Sequence, residues 1–556
     1  MITDDQGYGD FGLHGNTVVE TPVFDRFASE GQRFERFYVS PVCAPTRASL
    51  LTGRWWLRTG CWGVTHSKEN MRPEEVTVAE ALRAGGYATG CFGKWHNGEQ
   101  FPYTPPGQGF DEFLGFNNGH WNNYFDARLI RGSQFVQTEG YIVDVLTDAA
   151  IEFIEQNRRK PFFCYVSYNT PHSPFQLPDR YFDKYRARGL DDVLASVYGM
   201  CENIDDNFGR LLDALDRLGL RRDTIVLFLT DNGANTDRFN AGMRGRKASV
   251  HEGGIRVPLA VQWPAGLPHA RVVEELAAHI DLYPTLLELC GVEAPPGPPI
   301  DGVSLVPLLQ GRAEGWPDRL LFTHNRRGND VEPQPVRGSV RNRRYRAVLE
   351  RPDAWQLYDM IADPGQERNI AAEQPAVVGR LAAAYRQWFE DVTRDGFARP
   401  PIPVGYAEHD PVEFYAPQAE FTGEIRFFAG QGYSNDWLTG WTRPEDRIEF
   451  PLDVVRGGVF AVELIYACQA ADAGSTVRVR CGERAIEAAV PAAPAPRIPL
   501  PHRDAGRDTY IDRQWGTLAV GDLPLAAGRQ SLVIEAVRTA GGEVLELKHV
   551  LLRRVE

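Results

Sequence analysis

Asp4 and Asp5 stand side by side near the start of the chain, with Asp10 close behind. Adjacent carboxylates repel unless a cation sits near them, although a bare Asp-Asp pair is also a common turn or helix cap. Asp231 directly follows the apolar run Thr224 to Thr230 and opens Asp231-Asn232-Gly233. Asn-Gly by itself signals a turn, but ligands of open α/β sheets gather at the carboxyl ends of strands, so chemistry is sought here. Gly93-Lys94-Trp95-His96 follows another apolar run, Tyr87 to Phe92, and Pro171-His172 lies just past the strand-like Phe162 to Tyr168. Lys247 stands five residues before Glu252-Gly253-Gly254, which Arg256-Val257-Pro258 follows. Taken singly, a lysine or histidine is usually a surface or core residue, and Cys43 a small buried hydrophobe.

These residues need a frame. From residue 1 to about 330, short apolar strands alternate with longer helical patterns, which indicates an α/β domain. Apolar residues at Tyr141, Val145, Ala149 and Phe153 predict a helix over 141–156, and Leu194, Val197, Cys201, Ile204, Phe208, Leu211 and Leu215 form the stripe of another. Residues 331–400 read as a smaller subdomain with a helix near Leu381 to Val392. The Pro/Gly-rich stretch Asp395 to Asp410 marks the main boundary. Beyond it, over 412–556, the short runs Phe460 to Tyr466, Thr476 to Val479, Ser531 to Val537 and Val544 to Leu552 predict an all-β sandwich. There is no internal repeat.

The chain has 556 residues, enough for two or three domains, and 43% hydrophobic with 24% charged residues makes it globular. Sixty basic against seventy-four acidic residues leave a net charge of −14, which argues against nucleic acid or an anionic membrane as partner. An anionic substrate would need a local cationic pocket. No apolar run has the length of a membrane span. The eight cysteines show no metal-ligand spacing; Cys468 and Cys481 could pair across neighbouring strands, but no disulfide scaffold is indicated. No signal peptide precedes the acidic motif, and only Met1 and Ile2 are available for the strand it requires, so the written start reads as internal to a longer frame.

The string Cys43-Ala44-Pro45-Thr46-Arg47-Ala48-Ser49-Leu50-Leu51-Thr52-Gly53-Arg54 matches C-x-P-[S/T/A]-R-x(4)-T-G. On it the chain resembles the formylglycine-dependent type I sulfatases, arylsulfatase-like members of the alkaline phosphatase superfamily. Thr46 stands where serine or alanine is commoner. The resemblance implies a central mixed sheet flanked by helices, a small C-terminal α+β subdomain, and conversion of Cys43 to formylglycine by a maturation enzyme. The hydrated aldehyde, a gem-diol, attacks sulfur with one oxygen and expels sulfate through the other. Residue by residue, the resemblance makes Asp4, Asp5, Asp231 and Asn232 metal ligands, joined by the oxygen at Cys43. All-oxygen ligation suits Ca²⁺ better than Mg²⁺. Lys94 and Lys247 would clamp the sulfate, His96 would act as base, His172 would serve the leaving group, and Arg47 would stabilise the formylglycine and metal shell. Trp355-Gln356-Leu357-Tyr358-Asp359, with Asp363-Pro364 and Asn369, is similar to a segment of the family's C-terminal subdomain. The resemblance covers roughly residues 1–395.

The expected reaction is hydrolysis of a sulfate ester on a carbohydrate or an aryl group. Its rivals are a formylglycine-dependent phosphodiester or phosphonate monoester hydrolase and a non-catalytic glycan-binding protein with Cys43 unconverted. Specificity is harder to read. Asn117 to Arg131, with His120, Trp121, Asn122, Asn123 and Arg128, can wall a sugar pocket or be an ordinary polar loop. His324, Arg326 and Arg327 can meet a carboxylate or second sulfate, or be solvated. Asn435, Asp436, Trp437 and Trp441 offer a sugar platform or, preferentially, a surface that packs against the catalytic domain. His251 is taken as structural.

Overall fold

The computed structural model describes residues 1–326, 332–501, 503 and 510–555. Arg327 lies outside them. Eleven strands form the central sheet: β1 (Ile2–Thr3), β2 (Gln32–Tyr38), β3 (Ala88–Lys94), β4 (Glu112–Phe116), β5 (Arg128–Arg131), β6 (Gln134–Gln137), β7 (Phe162–Ser167), β8 (Val226–Thr230), β9 (Arg256–Gln262), β10 (Arg271–Val273) and β11 (Ala277–Ala278). Their order is β10-β2-β9-β8-β1-β7-β3-β4-β5-β6, with β11 on β2. Pairing is parallel around β1, β7 and β3 and antiparallel where β9 and β5 enter, so the sheet is mixed. Helices Ile142–Asn157 and Asp192–Arg217 bury their predicted stripes in the core on one face, and the helix Cys43–Thr52 packs into the core on the other.

The short β1 is central: Ile2 pairs with Ser167 of β7 and with Leu229 of β8. The Met1 amine donates to the Leu227 carbonyl at 2.8 Å. Met1 borders an apolar cavity of about 380 Å³ between Phe162–Val166 and Thr224–Leu227.

A second sheet is antiparallel, β12 (Leu321–His324), β13 (Gly338–Arg341), β14 (Tyr345–Leu349) and β15 (Trp355–Asp359), and the helix Pro375–Val392 packs on it. Glu252 fastens this unit to the first. Its carboxylate is 1% exposed and accepts from Tyr38 Oη at 3.1 Å, Arg341 Nη1 at 3.0 Å and Arg346 Nη2 at 2.6 Å. Burial works to raise the Glu252 carboxyl, but Arg346, Arg341 and Arg256 outweigh it and hold it below the usual range. Glu252→Ala would leave Arg346, itself fully buried, short of its charge partner. A loss of about 3–5 kcal/mol is expected, read from chemical or thermal unfolding; a loss under about 1 kcal/mol would mean that solvent reaches the cluster.

The C-terminal region forms two six-stranded sheets around one apolar core. One is ordered Ile402–Val404, Arg447–Val454, Gly528–Arg538, Thr476–Cys481, Arg484–Ala489, with Glu420–Phe421 also on Arg447–Val454; the other Arg426–Phe427, Leu438–Thr439, Glu546–Arg554, Gly458–Ala467, Gly516–Leu525, with Val412–Tyr415 also on Glu546–Arg554. The proline-rich stretch thus supplies an edge strand, where the N–H that Pro403 lacks is not required by a second neighbour. Trp437 and Trp441 are 2% and 1% exposed; Trp441 lies in the sandwich core and Trp437 stacks on Phe428 at 4.2 Å, so both pack within the C-terminal region and not, as expected, against the catalytic domain. Cys468 and Cys481 are both free. Among the described residues no helix is long and apolar enough to cross a membrane.

Candidate active site

The functional side chains converge because the strands that precede them lie side by side. Asp4 and Asp5 leave β1, Asp231 and Asn232 leave β8, His172 follows β7, and Lys94 ends β3. Cys43 is the first residue of the helix Cys43–Thr52, so it sits at the positive end of the helix dipole. Pro45 is tolerated in that first turn, whose N–H groups have no helical acceptor. Thr46 Oγ1 accepts from Ser40 N at 3.0 Å and fixes the turn into the helix.

Two glycines permit the approach. Gly93 has φ +125°, and a Cβ there would lie 1.9 Å from the Ser167 carbonyl oxygen, so β3 could not close on β7 with any other residue. Gly233 donates to the Gly254 carbonyl at 3.0 Å, and a Cβ on it would lie 1.9 Å from Gly253 O. The Asn-Gly turn is thereby pressed against the Glu-Gly-Gly segment.

The result is a buried ion network. Lys94 Nζ donates to Asp4 Oδ2 at 2.5 Å and Lys247 Nζ to Asp5 Oδ1 at 2.6 Å. Arg47, fully buried, donates from Nη2 to Asp231 Oδ2 at 2.9 Å, from Nη1 to the Lys94 carbonyl at 3.1 Å, and to Ser167 Oγ. Burial alone would raise the Asp4 and Asp5 carboxyls; Lys94 beside one and Lys247 beside the other hold both below the usual range. Asp231 goes the other way, pushed up to about 7 by burial and by Asp4. Burial disfavours the Lys247 ammonium, yet Asp5 holds it above the usual lysine range. Asp10 does not join the cluster: it accepts from Gly7 N and from Arg238, which also donates to the Asp5 carbonyl at 2.8 Å and anchors the loop.

Ligand atoms of Asp4, Cys43 and Asp231 lie within 4.8 Å of one another, as do those of Asp4, Asp5 and His172. Asp4 Oδ1, Asp5 Oδ2 and Asn232 Oδ1 are buried without a hydrogen-bond partner, a costly state for carboxylate and amide oxygens. Asp5 also holds a left-handed backbone, φ +66°, stabilised by Asp5 N donating to Asp231 Oδ1 at 3.1 Å. Unpaired, converging oxygens of this kind fit a hard divalent cation.

The histidines differ. His96 (φ +63°) is 2% exposed, and its Nε2 lies 2.8 Å from the Val64 carbonyl, which fixes the proton there and leaves Nδ1 a bare acceptor with no partner. Burial and Lys94 hold it well below the usual histidine range, hence neutral. His172 bonds the Ser173 carbonyl through Nδ1 at 2.5 Å, which leaves Nε2 facing Asp5 Oδ2 at 3.6 Å. His120 stacks on His172 at 6.1 Å.

The remaining sequence candidates have partners of their own. Trp121 stacks on Phe116 at 5.6 Å, and Arg128 lies over Phe135 on the outer hairpin at 3.9 Å. His324 is 1% exposed, stacked on Trp56 and bonded to the Gln334 carbonyl, in the core between the first domain and the β12–β15 sheet; Arg326 lies over Trp62. His251 bonds Gln366 and Glu350, a structural setting. Sequence reasoning missed Arg238, Ser167 and the partners of Glu252; the only local signal of these is a polar residue, and what they bond lies far away in the chain.

The family model described as Sulfatase matches residues 1–292. The chain belongs to the sulfatase family. A second model, N-sulphoglucosamine sulphohydrolase, C-terminal, matches residues 246–387. This sulfatase is 32% identical to N-acetylgalactosamine-6-sulfatase of Mus musculus over 66% of its own length and 75% of the relative's. It is 31% identical to arylsulfatase A of Homo sapiens over 70% and 85% of the two chains. Among solved structures it is similar to Ps i-CgsB in complex with k-i-k-neocarrahexaose, at 25% identity and TM-score 0.66, covering 72% of this chain and 94% of that one. The protein is a sulfuric ester hydrolase, and its family generally uses formylglycine and a divalent metal.

Proposed function

We propose that this sulfatase hydrolyses a sulfate ester on a carbohydrate, with Cys43 as the formylglycine precursor, a formylglycine-generating enzyme as maturation partner, and Ca²⁺ as the ion. The observation that carries the reading is the set of buried, unpaired oxygens of Asp4, Asp5 and Asn232, with Asp4 and Asp231 in ligand reach of Cys43. Three carboxylates and an amide oxygen favour a hard cation that accepts irregular geometry, hence Ca²⁺ over Mg²⁺. The relatives named for N-acetylgalactosamine 6-sulfate and the structure holding a neocarrahexaose support a sugar substrate. The proposed division is a catalytic core, a subdomain and an accessory sandwich; the boundaries expected at 330 and 412 move, because the subdomain's sheet already includes Leu321–His324 and the sandwich includes Ile402–Val404.

When present, the matured residue 43 supplies an oxygen nucleophile and the ion offsets negative charge at the sulfate. The remaining work falls to this chain's side chains. Lys94, at the closed floor, and Lys247, nearer the opening, bind sulfate oxygens; their ion pairs with Asp4 and Asp5 fix both ammonium groups in place before substrate arrives. Arg47 is committed to Asp231, Ser167 and the Lys94 carbonyl, so it orders the site rather than touching substrate. The bare Nδ1 of His96 is the acceptor for the nucleophile's proton. His172, at the opening, serves the departing oxygen.

The test is sulfate and phosphate release measured side by side on matched aryl esters and a panel of sulfated sugars, with elemental analysis of the matured protein. Sulfate release with about one calcium per chain is expected. Dominant phosphodiester or phosphonate turnover would move the chain to the rival chemistry, and stoichiometric magnesium would replace the ion.

A further inference from the structure

The floor of the site is closed: Lys94 is 0% and Cys43 4% exposed. Solvent reaches it past Lys247 and His172, whose side chains are 20% and 15% exposed, so the substrate beyond its sulfate extends across these two. On the His172 side stands His120, and the ring of Tyr510 lies nearly perpendicular to it with centroids 5.2 Å apart. The Tyr510 hydroxyl shares a 2.6 Å hydrogen bond with Oγ of Ser173, the residue after His172. Tyr510 belongs to the sandwich region, not to the catalytic domain.

Three more bonds tie the sandwich to the same wall. Gly119 N donates to Ser434 Oγ at 2.9 Å, Asn435 Nδ2 to the His120 carbonyl at 2.8 Å, and Asn122 Nδ2 to the Ile511 carbonyl at 2.9 Å. The donor loop is ordered within the sandwich: Asp436 accepts from the N–H groups of Ala429, Gly432 and Trp437, and Lys548 donates to the Asn435 carbonyl. Asn435 itself sits at φ +66°, a conformation asparagine tolerates better than most residues. These contacts are aimed at the segment carrying His120 and, through Gly119, at the back of His96, whose Nε2 lies 2.6 Å from where a Cβ on Gly119 would stand.

We propose that the sandwich completes the active-site pocket, with Tyr510 as the residue that selects the leaving group and Ser434 and Asn435 as positioning residues for His120. The proposal rests on the reading of this sulfatase as acting on sugars. A tyrosine ring in T-shaped contact with His120 and bonded through its hydroxyl to Ser173 is fixed beside the opening, where a pyranose can stack on it, while contributing nothing to the sulfate itself. A plain docking contact would also bury these groups, but its loss would act on every substrate alike.

The experiment compares wild type, Tyr510→Ala and Tyr510→Phe, full length and matured, on 4-nitrophenyl sulfate and on sulfated hexoses and hexosamines including N-acetylgalactosamine 6-sulfate. Binding of the same sugars and of inorganic sulfate to Cys43→Ala and Cys43→Ala/Tyr510→Ala, followed by calorimetry, gives a readout independent of turnover. For the best sugar, Tyr510→Ala is expected to raise KM and Kd about tenfold. The aryl ester and inorganic sulfate should stay within about threefold, and Tyr510→Phe should keep most of the sugar affinity. Equal losses on both substrates, no loss on either, or a wild type that cleaves the aryl ester yet binds none of the sugars would overturn the proposal. A wild type that releases no sulfate, with sugar binding still weakened by Tyr510→Ala, would instead sink the catalytic reading and leave the pocket wall standing.

Discussion

Replacing Cys43 by alanine is expected to lower sulfate release on the order of 10⁵-fold or more, while changing the stability of the fold by only about 1 kcal/mol. The side chain is small, 4% exposed, and sits at the first position of its helix, where it contributes no cap. Its surroundings explain why it matters. Burial pushes the Cys43 thiol up, Lys94 and Lys247 pull it down, and Asp4 and Asp231 push it up again, so that the net shift is upward. An unmodified Cys43 is therefore a protonated thiol at neutral pH, the wrong state for a cysteine nucleophile. Chain produced without a maturation enzyme should accordingly be as inactive as Cys43→Ala. The peptide spanning Phe37 to Arg47, read by mass spectrometry beside the activity assay, distinguishes thiol from aldehyde. Full turnover from a chain carrying only the thiol would remove the proposed nucleophile.

Asp231→Ala is the second large effect. Asp231 Oδ1 accepts from Asp5 N, and Oδ2 from Arg47, so the substitution deletes a proposed ligand and strands a fully buried guanidinium at once. Bound metal is expected to fall below about a tenth of an equivalent after dialysis, consistent with at least a 10–100-fold loss of affinity. Turnover should fall on the order of 10³-fold. The metal-free fold should lose about 3–5 kcal/mol, the cost of leaving a buried charge without its partner. Asp231→Asn keeps the shape and an acceptor for Asp5 N, and should recover part of the stability but little of the metal. A chelator should lower the melting temperature of wild type and leave Asp231→Ala unmoved. Full metal occupancy in Asp231→Ala would place the ion elsewhere.

Much of this protein was legible in its sequence. Helical stripes such as Leu194 to Leu215 and apolar runs such as Phe162 to Tyr168 or Thr224 to Thr230 identify their elements by local periodicity, and the mixed α/β sheet with β-rich C-terminal sheets follows from their order. The motif residues stand at strand ends, so the fold class alone predicts that Asp4, Lys94, His172 and Asp231 approach one another. What no local pattern carries is a contact between distant segments. His324 and Arg128 look as available for substrate as His120 does, yet one is stacked in a core and another lies on an outer hairpin, because burial depends on what packs against them. Glu252 draws its partners from Tyr38, Arg341 and Arg346, and its motif indicates none of them. Pro403 forms an edge strand despite its composition, since the neighbour that pairs with it lies near residue 450. Tyr510 and Asn435 reach the wall beside His172 only because the C-terminal region packs against the catalytic domain. Periodicity and motif spacing are properties of a few consecutive residues, whereas the wall around the site is made by side chains that meet across hundreds of residues, and only the tertiary structure brings them together.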